Sequence, residues 1–211
     1  MKTVKIGIAL IAGLFILPLQ AYAATPDTGV KIMLIGDSLS SGYGLSGAGW
    51  VEQLNQQYRD SGDNIEIIND SISGDTTAGG VARVREGLSR IRPDWLLIEL
   101  GGNDGLRGVS PKVISKNLLA MVNIAQAEGI RTMLLGIRMP PNYGKAYTEK
   151  FEQTFEQVSE ATDSPLLPFF IGEVGGDPEL NQPDMIHPND EAQPIIRDRV
   201  KAFLDSVLNP G

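Results

Sequence analysis

The chain has 211 residues, of which 26 are acidic and 18 are basic, and its formal net charge is −8. Nucleic acid and anionic membrane surfaces repel such a chain, and no cluster of lysine and arginine offsets this, so we expect no nucleic-acid partner. The sequence contains no cysteine. Disulfide bonds are therefore excluded, and the stability of the fold must come from its hydrophobic core.

The first residues have the pattern of a secretory signal peptide. Lys2 and Lys5 give a positive start, residues 6–19 are mostly apolar, and Ala21-Tyr22-Ala23 places small residues two apart. The apolar stretch is shorter than the roughly 20 residues that a membrane-spanning helix needs. We therefore predict a signal peptide over residues 1–23, one domain over residues 24–211 with no integral membrane segment, and a periplasmic or secreted location in a bacterium.

From residue 31 onwards, short apolar runs alternate with longer segments of helical periodicity. The apolar runs predict buried strands at residues 32–35, 65–68, 95–100, 132–135 and 166–167. The helical spacing predicts helices at residues 48–58, 78–91, 111–128 and 146–161, and a last helix after residue 188. This alternation predicts an α/β fold, namely a three-layer α/β/α sandwich around a five-stranded parallel sheet.

The first predicted strand ends abruptly in Gly36-Asp37-Ser38. Glycine allows the backbone to turn sharply after the strand, which places Ser38 at the strand's carboxyl end. In open α/β sheets that end faces the crevice in which ligands bind, so a hydroxyl there can meet a substrate. The alternative is an ordinary turn, which the Asp-Ser pair also favours.

The sequence contains a single histidine, His187, within Asp184-Met-Ile-His-Pro188. Asp184 lies three residues earlier, close enough in a tight turn for its carboxylate to reach the imidazole Nδ1. Such a pair holds the ring in one tautomer and stabilises its protonated form, as a serine hydrolase requires of its general base. The alternative is a histidine that is structural or merely exposed.

Two further strand exits carry candidate hydrogen-bond donors. Gly74 follows the second strand and can present a bare backbone N–H, and Asn103 follows the third strand with a side-chain amide. Such donors stabilise the oxyanion that forms when a serine attacks a carbonyl. Both stretches are also ordinary turn sequences. Because parallel strands end at one edge of the sheet, we expect the loops of Ser38, Gly74 and Asn103 to open on the same side.

Taken in order, four short blocks resemble those of the SGNH (GDSL) hydrolases: Gly36-Asp-Ser-Leu39, Gly74, Gly102-Asn-Asp104 and Asp184-x-x-His187. Longer stretches resemble one branch of that family, the bacterial periplasmic thioesterases, lysophospholipases and arylesterases; they are residues 71–76, 99–108, 141–144, 166–170 and 186–189. The resemblance covers essentially all of residues 24–211. It implies the flavodoxin-like SGNH hydrolase fold and a monomer.

The resemblance also implies an assignment of the site. Ser38 would be the nucleophile, His187 the general base and Asp184 the acid that orients it. The oxyanion hole would consist of the Ser38 N–H, the Gly74 N–H and the Asn103 amide. The reaction would be hydrolysis of small-molecule acyl esters or thioesters, including aryl and alkyl esters, lysophospholipids and acyl-CoA, through an acyl-enzyme. The residues expected to bind substrate are Asp37, Asp75, Ile137, Pro140, Asn142 and Tyr143.

Neither a cofactor nor a metal is expected. One histidine and no cysteine leave no ligand set for a transition metal, although a calcium site built from carboxylates stays open. Residues 137–143 are largely apolar, and from the residues alone they suit an acyl groove or a cover over the core equally well.

Rival interpretations are weaker. Gly42-Tyr-Gly-Leu-Ser-Gly47 matches the dinucleotide-binding pattern G-x-G-x-x-G, but its first glycine comes six residues after Gly36 instead of at the strand exit. A silent binding protein of the same fold would lack Ser38 or His187. A conventional α/β-hydrolase needs G-x-S-x-G, which residues 44–48 do not complete. Within the esterase class, the alternative is a carbohydrate O-acetylesterase, whose pocket would reject long acyl chains.

Overall fold

Four successive apolar residues, Ile32 to Ile35, are fully buried and form the middle of strand β1 (Val30–Gly36). The computed structural model describes residues 29–209, so the predicted signal peptide over residues 1–23 lies outside the described residues. Strand β1 is hydrogen-bonded on both sides, to β2 (Ile65–Asn69) and to β3 (Trp95–Glu99). Such a central strand is covered on both faces, which is why it reads as a continuous apolar run.

Strands β4 (Arg131–Leu135) and β5 (Leu166–Leu167) complete a five-stranded sheet in the order β2-β1-β3-β4-β5. Every neighbouring pair is parallel. The helices are α1 (Trp50–Ser61), α2 (Thr77–Ile91), α3 (Gly102–Leu106), α4 (Pro111–Ala127), α5 (Lys145–Thr162) and α6 (Gln193–Leu208). Short 3-10 turns lie at Pro141–Tyr143 and Gly172–Val174.

The helices form two layers. Helices α1 and α6 pack on each other, whereas α2, α4 and α5 pack in a row. Helix α1 lies in the connection from β1 to β2. Helices α2, α4 and α5 lie in connections that run in the opposite direction across the sheet. Because crossovers between parallel strands are right-handed, the two groups cover opposite faces. The predicted α/β/α sandwich with five parallel strands is confirmed.

Helix α5 shows how the helical pattern becomes core. Phe151, Phe155 and Val158 recur on one face and are buried, and the Phe151 and Phe155 rings meet edge to face at 5.5 Å. Tyr147, one turn earlier, is half-buried and its hydroxyl donates to the Val109 carbonyl at 2.8 Å. Within residues 29–209, no helix has the length and apolar character that crossing a membrane requires.

Helix α3 is the element that the sequence pattern does not predict. It follows β3 after only two residues, because Gly101 adopts a φ of +128° that turns the chain sharply. The Gly101 carbonyl then accepts a hydrogen bond from Gly105 N–H at 2.9 Å. Five residues carry no helical periodicity, so the sequence indicates only a turn there. The short helix brings Asn103 to the edge of the sheet where β1 also ends.

Candidate active site

Ser38 lies in a tight turn that is closed by hydrogen bonds to the main-chain carbonyl and to the side-chain carboxylate of Asp37. The Asp37 carbonyl accepts from Ser41 N–H at 3.0 Å, and its Oδ1 accepts from Leu39 N–H at 3.1 Å. Ser38 therefore projects from the carboxyl end of β1. Its Oγ lies 2.9 Å from His187 Nε2, although 149 residues separate the two in the chain.

The Asp184 carboxylate makes three hydrogen bonds to the segment that carries His187. The ring Nδ1 lies 2.6 Å from Asp184 Oδ2, and the N–H groups of Ile186 and His187 each donate to Asp184 Oδ1 at 3.0 Å. Burial raises the pKa of Asp184, but these hydrogen bonds outweigh it and lower the pKa below its ordinary value. The carboxylate thus stays ionised and can orient the imidazole and stabilise its protonated form.

The segment that carries His187 is anchored along its length. Gln182 N–H donates to the His187 carbonyl at 2.7 Å, and Asn189 N–H donates to the Leu180 carbonyl at 2.9 Å. The Asp190 carboxylate accepts from Gly47 N–H at 2.9 Å, which joins this segment to the loop after β1. The position of His187 is therefore fixed by backbone hydrogen bonds at residues 187 and 189.

The candidate oxyanion donors lie on the loops after β2 and β3. Asn103 Nδ2 donates one hydrogen to Asp37 Oδ2 at 3.0 Å, and the second hydrogen of the amide remains for another acceptor. Gly74 has a φ of +81°, which favours glycine over other residues. The Ser41 and Ser73 hydroxyls, 2.7 Å apart, join the Gly74 loop to the Ser38 turn.

An apolar cavity of about 420 Å³ opens beside Ser38 and His187. Three of the residues expected to bind substrate, Asp37, Ile137 and Pro140, contribute to its wall. The other lining residues are Ser38, Leu39, Gly102, Asn103, Leu106, Arg138, Met139, Pro141, Phe169, Ile171, Gly175, Gly176, Met185, Ile186 and His187. The cavity thus follows the loops after β3, β4 and β5 and is suited to an acyl chain.

A model of the GDSL-like Lipase/Acylhydrolase family matches residues 34–194. The chain belongs to this family. It is 41% identical to Esterase TesA of Pseudomonas aeruginosa, covering 94% of this chain and 98% of that protein. It is 40% identical to Thioesterase 1/protease 1/lysophospholipase L1 of Escherichia coli, covering 93% of this chain and 92% of that protein.

A solved structure of esterase EstA from Pseudoalteromonas sp., inhibited by monoethylphosphonate, resembles this fold with a TM-score of 0.82. The two chains are 42% identical, and the match covers 85% of this chain and 98% of that one. The predicted membership of the SGNH (GDSL) hydrolases is confirmed, and this family member is a carboxylic ester hydrolase. The relatives favour this activity over the carbohydrate O-acetylesterase alternative.

Not every residue that the sequence indicates for substrate binding reaches the cavity of this GDSL hydrolase. Asp75, Asn142 and Tyr143 are absent from its lining. Tyr143 instead donates through its hydroxyl to the Leu106 carbonyl at 3.2 Å, and Asn142 is exposed in the 3-10 turn after Pro140. In this structure the cavity therefore ends at Pro140 and Pro141.

Asp75 is engaged by an arginine on helix α2. Arg83 Nε donates to Asp75 Oδ2 at 2.8 Å, and Arg83 Nη1 donates to Asp70 Oδ2 at 2.9 Å. Arg83 Nη2 also reaches the Gly36 carbonyl at 3.4 Å. One side chain thus ties both ends of the Gly74 loop to the end of strand β1, and Asp75 contributes to that anchoring in place of a wall of the cavity.

Sequence reasoning missed two further features of the site. Met185 and Ile186, between Asp184 and His187, are exposed apolar side chains that line the cavity, and their position inside the D-x-x-H block was the available signal. Glu99 lies fully buried beneath the Ser38 turn, and the signal was a carboxyl group within the apolar run at residues 95–100.

Glu99 and Asp37 form a buried pair of carboxyl groups. Glu99 Oε2 accepts from Asp37 N–H at 3.1 Å and from the Ser40 hydroxyl at 2.8 Å. Burial raises the pKa of Glu99 well above its usual range, and the nearby Asp37 charge raises it further. Burial also raises the pKa of Asp37 to about 6, although hydrogen bonds from Leu39 and Asn103 oppose this.

Within the part of the chain that the structure describes, no three histidine, cysteine, aspartate or glutamate side chains are grouped so that they could hold a metal ion. The cavity beside Ser38 is lined by one imidazole, the Asn103 amide, the charged side chains Asp37 and Arg138, and otherwise mostly by apolar side chains. This set suits acyl transfer to a serine hydroxyl.

Proposed function

We propose that this GDSL hydrolase cleaves carboxylic esters and thioesters of apolar acyl chains through an acyl-enzyme on Ser38. The observation that carries the proposal is the continuous path from Asp184 Oδ2 to His187 Nδ1, at 2.6 Å, and from His187 Nε2 to Ser38 Oγ, at 2.9 Å. A hydroxyl is a weak nucleophile until an adjacent base accepts its proton, and here the base is itself oriented by a third group.

In the first half of the reaction, Ser38 Oγ attacks the carbonyl carbon while His187 Nε2 accepts the hydroxyl proton. The negative charge that develops on the carbonyl oxygen is stabilised by the Ser38 N–H, the Gly74 N–H and the free hydrogen of the Asn103 amide. The bond to the leaving group then breaks, and His187 returns its proton to the departing alcohol or thiol. An acyl-enzyme remains.

In the second half, His187 accepts a proton from water as the water attacks the acyl-enzyme. The tetrahedral intermediate forms again over the same donors, and Ser38 recovers its proton when the carboxylic acid is released. Asp184 stays ionised throughout because its hydrogen bonds lower its pKa. The chain's own residues thus provide the nucleophile, the base and the charge stabilisation.

The apolar wall of the cavity supports acyl chains longer than acetyl. Met139, Pro140 and Ile186 present no charge to a substrate, and about 420 Å³ is far more than an acetyl group fills. Relatives bear the names esterase, arylesterase and thioesterase 1/protease 1/lysophospholipase L1. These names support aryl and alkyl esters, acyl thioesters and lysophospholipids as substrates of this chain.

We also infer export and a monomeric state. The sequence pattern of residues 1–23 supports cleavage after Ala23 and release to the periplasm or the medium. The mass of the exported protein should correspond to residues 24–211, and its sedimentation should be that of one chain. An exported protein that retains residues 1–23 would contradict the cleavage.

The experiment that tests the function is hydrolysis of p-nitrophenyl esters from acetyl to palmitoyl. Each methylene that the cavity buries contributes about 0.8 kcal/mol, so kcat/KM should rise about fourfold per methylene until the cavity is full. Ser38→Ala and His187→Ala should each lower kcat at least ~1,000-fold. Near wild-type rates in both variants, or a wild type inert on every ester, would show that the proposal is wrong.

A further inference from the structure

Tyr43 is an aromatic side chain that the structure holds out of the core. It is 52% exposed and lies between Gly42 and Gly44, whose φ angles are +80° and +70°. The left-handed conformations of these two glycines turn the chain on both sides of Tyr43, which lies at the surface. No hydrogen bond of its hydroxyl is found within residues 29–209, so it is the ring that makes the contacts.

The Tyr43 ring packs on the imidazole of His187. The two ring centroids are 4.6 Å apart and the rings are inclined at 43°. Gln182 fixes this arrangement, because its Nε2 donates to the Tyr43 carbonyl at 2.9 Å and to the Pro188 carbonyl at 3.1 Å. A Cβ on Gly44 would collide with the end of the Gln182 side chain and displace it, and the φ of +70° also favours glycine there.

The tetrahedral intermediate of the proposed reaction limits where the leaving group can lie. Its carbon carries four groups: Ser38 Oγ, the oxyanion, the acyl chain and the leaving group. In the proposed reaction the oxyanion faces the donors at Gly74 and Asn103, and the acyl chain occupies the cavity that Ile137 and Met139 line. The leaving group takes the remaining direction, and it must stay within reach of His187 Nε2 to receive a proton.

Tyr43 borders His187 from outside the acyl cavity. It contacts the same imidazole, yet it is absent from the wall of the acyl cavity. We propose that Tyr43 is a specificity-determining residue that binds the leaving group by stacking and favours planar aromatic alcohols and phenols. Aromatic pairs are stabilised in stacked and edge-to-face arrangements beyond the apolar area that they bury, which a puckered aliphatic ring cannot match.

The test compares benzyl butyrate with cyclohexylmethyl butyrate, and it rests on the proposed ester hydrolysis. The two esters share one acyl chain and their leaving alcohols are both primary and of similar size, so the change in preference on mutation reports the contact with the aromatic ring. The wild type should prefer the benzyl ester in kcat/KM. Tyr43→Leu should reduce that preference about 2- to 10-fold, whereas Tyr43→Phe, which keeps the ring, should retain it.

The outcomes separate the leaving-group role from a general one. If the ratio of the two kcat/KM values is unchanged in Tyr43→Leu, the inference is wrong. An unchanged ratio with both esters slowed by the same factor would show that Tyr43 acts only on His187. A wild type that hydrolyses neither these esters nor any p-nitrophenyl ester would overturn the proposed function as well. Both variants alter an exposed side chain, so their unfolding transitions should match that of the wild type.

Discussion

Asp37 accepts hydrogen bonds on both carboxyl oxygens, from Leu39 N–H and from the Asn103 amide. These bonds orient the Asn103 donor and simultaneously close the Ser38 turn. The cost of this position is the burial of a carboxyl group beside Glu99, which raises the pKa of Asp37 from 3.8 to about 6. Ionised Asp37 thus serves the site but reduces the stability of the fold.

The raised pKa of Asp37 predicts the sign of a pH effect on stability. A carboxyl group with a raised pKa in the folded state stabilises the fold below its ordinary pKa, and this contribution is lost as pH rises from about 4 to about 6. The free energy of unfolding of the wild type, measured relative to that of Asp37→Asn, should therefore decrease from pH 4 to pH 7. Urea unfolding at each pH measures this difference.

Asp198 offers a matched control for that measurement. Its bond to Arg197 lowers the pKa of Asp198 below its ordinary value of 3.8, so above about pH 5 the carboxyl is ionised in both folded and unfolded chains. The difference between the wild type and Asp198→Asn should stay flat from about pH 5 to pH 7. A flat difference for Asp37→Asn as well would contradict the buried ionisation of Asp37.

Between β2 and α2, the loop that carries Gly74 has no regular structure of its own and depends on contacts from other elements. Ile72 N–H donates to the Gly36 carbonyl at 3.0 Å, and Arg83 of α2 binds Asp70 and Asp75 at the two ends of the loop. Side-chain exposure of Arg83 is only 18%, so these ion pairs are partly shielded from water. The position of the Gly74 N–H thus depends on α2.

Replacing Arg83 should therefore affect chemistry more than substrate binding. Without Arg83 the Gly74 loop keeps its backbone bond to Gly36 but loses its ion pairs at both ends, and displacement of the proposed oxyanion donor lowers kcat while the apolar cavity stays intact. We expect Arg83→Met to reduce kcat about 10- to 100-fold with KM changed less than about threefold. Steady-state kinetics on one p-nitrophenyl ester measures both constants.

Arg90 on the same helix provides the control. It also binds Asp70, at 2.6 Å, but its side chain is 58% exposed and it does not contact Asp75 or Gly36. Exposed ion pairs contribute little, so Arg90→Met should leave kcat close to that of the wild type. Equal losses in both variants, or a loss confined to KM for Arg83→Met, would argue against positioning of the Gly74 loop.

Elements differ in how well the sequence predicts them. The strands are read correctly because the middle of a parallel strand covered on both faces must be apolar, as residues 32–35 of β1 and residues 95–98 of β3 are. Helix α5 is read correctly because its buried aromatic side chains recur at helical spacing. Helix α3 escapes prediction because its start depends on the backbone of Gly101, which leaves no periodic pattern.

The whole chain is acidic, with a net charge of −8 before any cleavage. Removal of Lys2 and Lys5 with a signal peptide would make it more negative still. Long-range repulsion lowers the rate at which such a protein meets an anionic surface. Salt at about 0.1 M screens this repulsion at distances beyond about 10 Å. The charge therefore affects how the enzyme meets aggregated substrates.

We expect faster hydrolysis of a lysophospholipid in zwitterionic micelles than in anionic micelles at low salt, with the difference narrowing at high salt. Initial rates of fatty-acid release measure the effect. Monomeric p-nitrophenyl acetate, which carries no charge, is the control and should show little dependence on salt. Equal rates in both micelles at low salt would show that net charge does not govern the encounter.

By itself the sequence determined the succession of strands and long helices along the chain and the chemical groups at each strand end. It also indicated the pairing of Asp184 with His187, because a contact between residues three apart depends on local backbone geometry. Only the tertiary structure decided the acyl cavity, the Glu99 carboxyl beneath Asp37, the Arg83 anchor and the Tyr43 stack on His187. Asp37 and Glu99 are 62 residues apart, and they meet because β1 and β3 are neighbours in the sheet. Such contacts follow from how the strands and helices pack, which no local pattern of residues records.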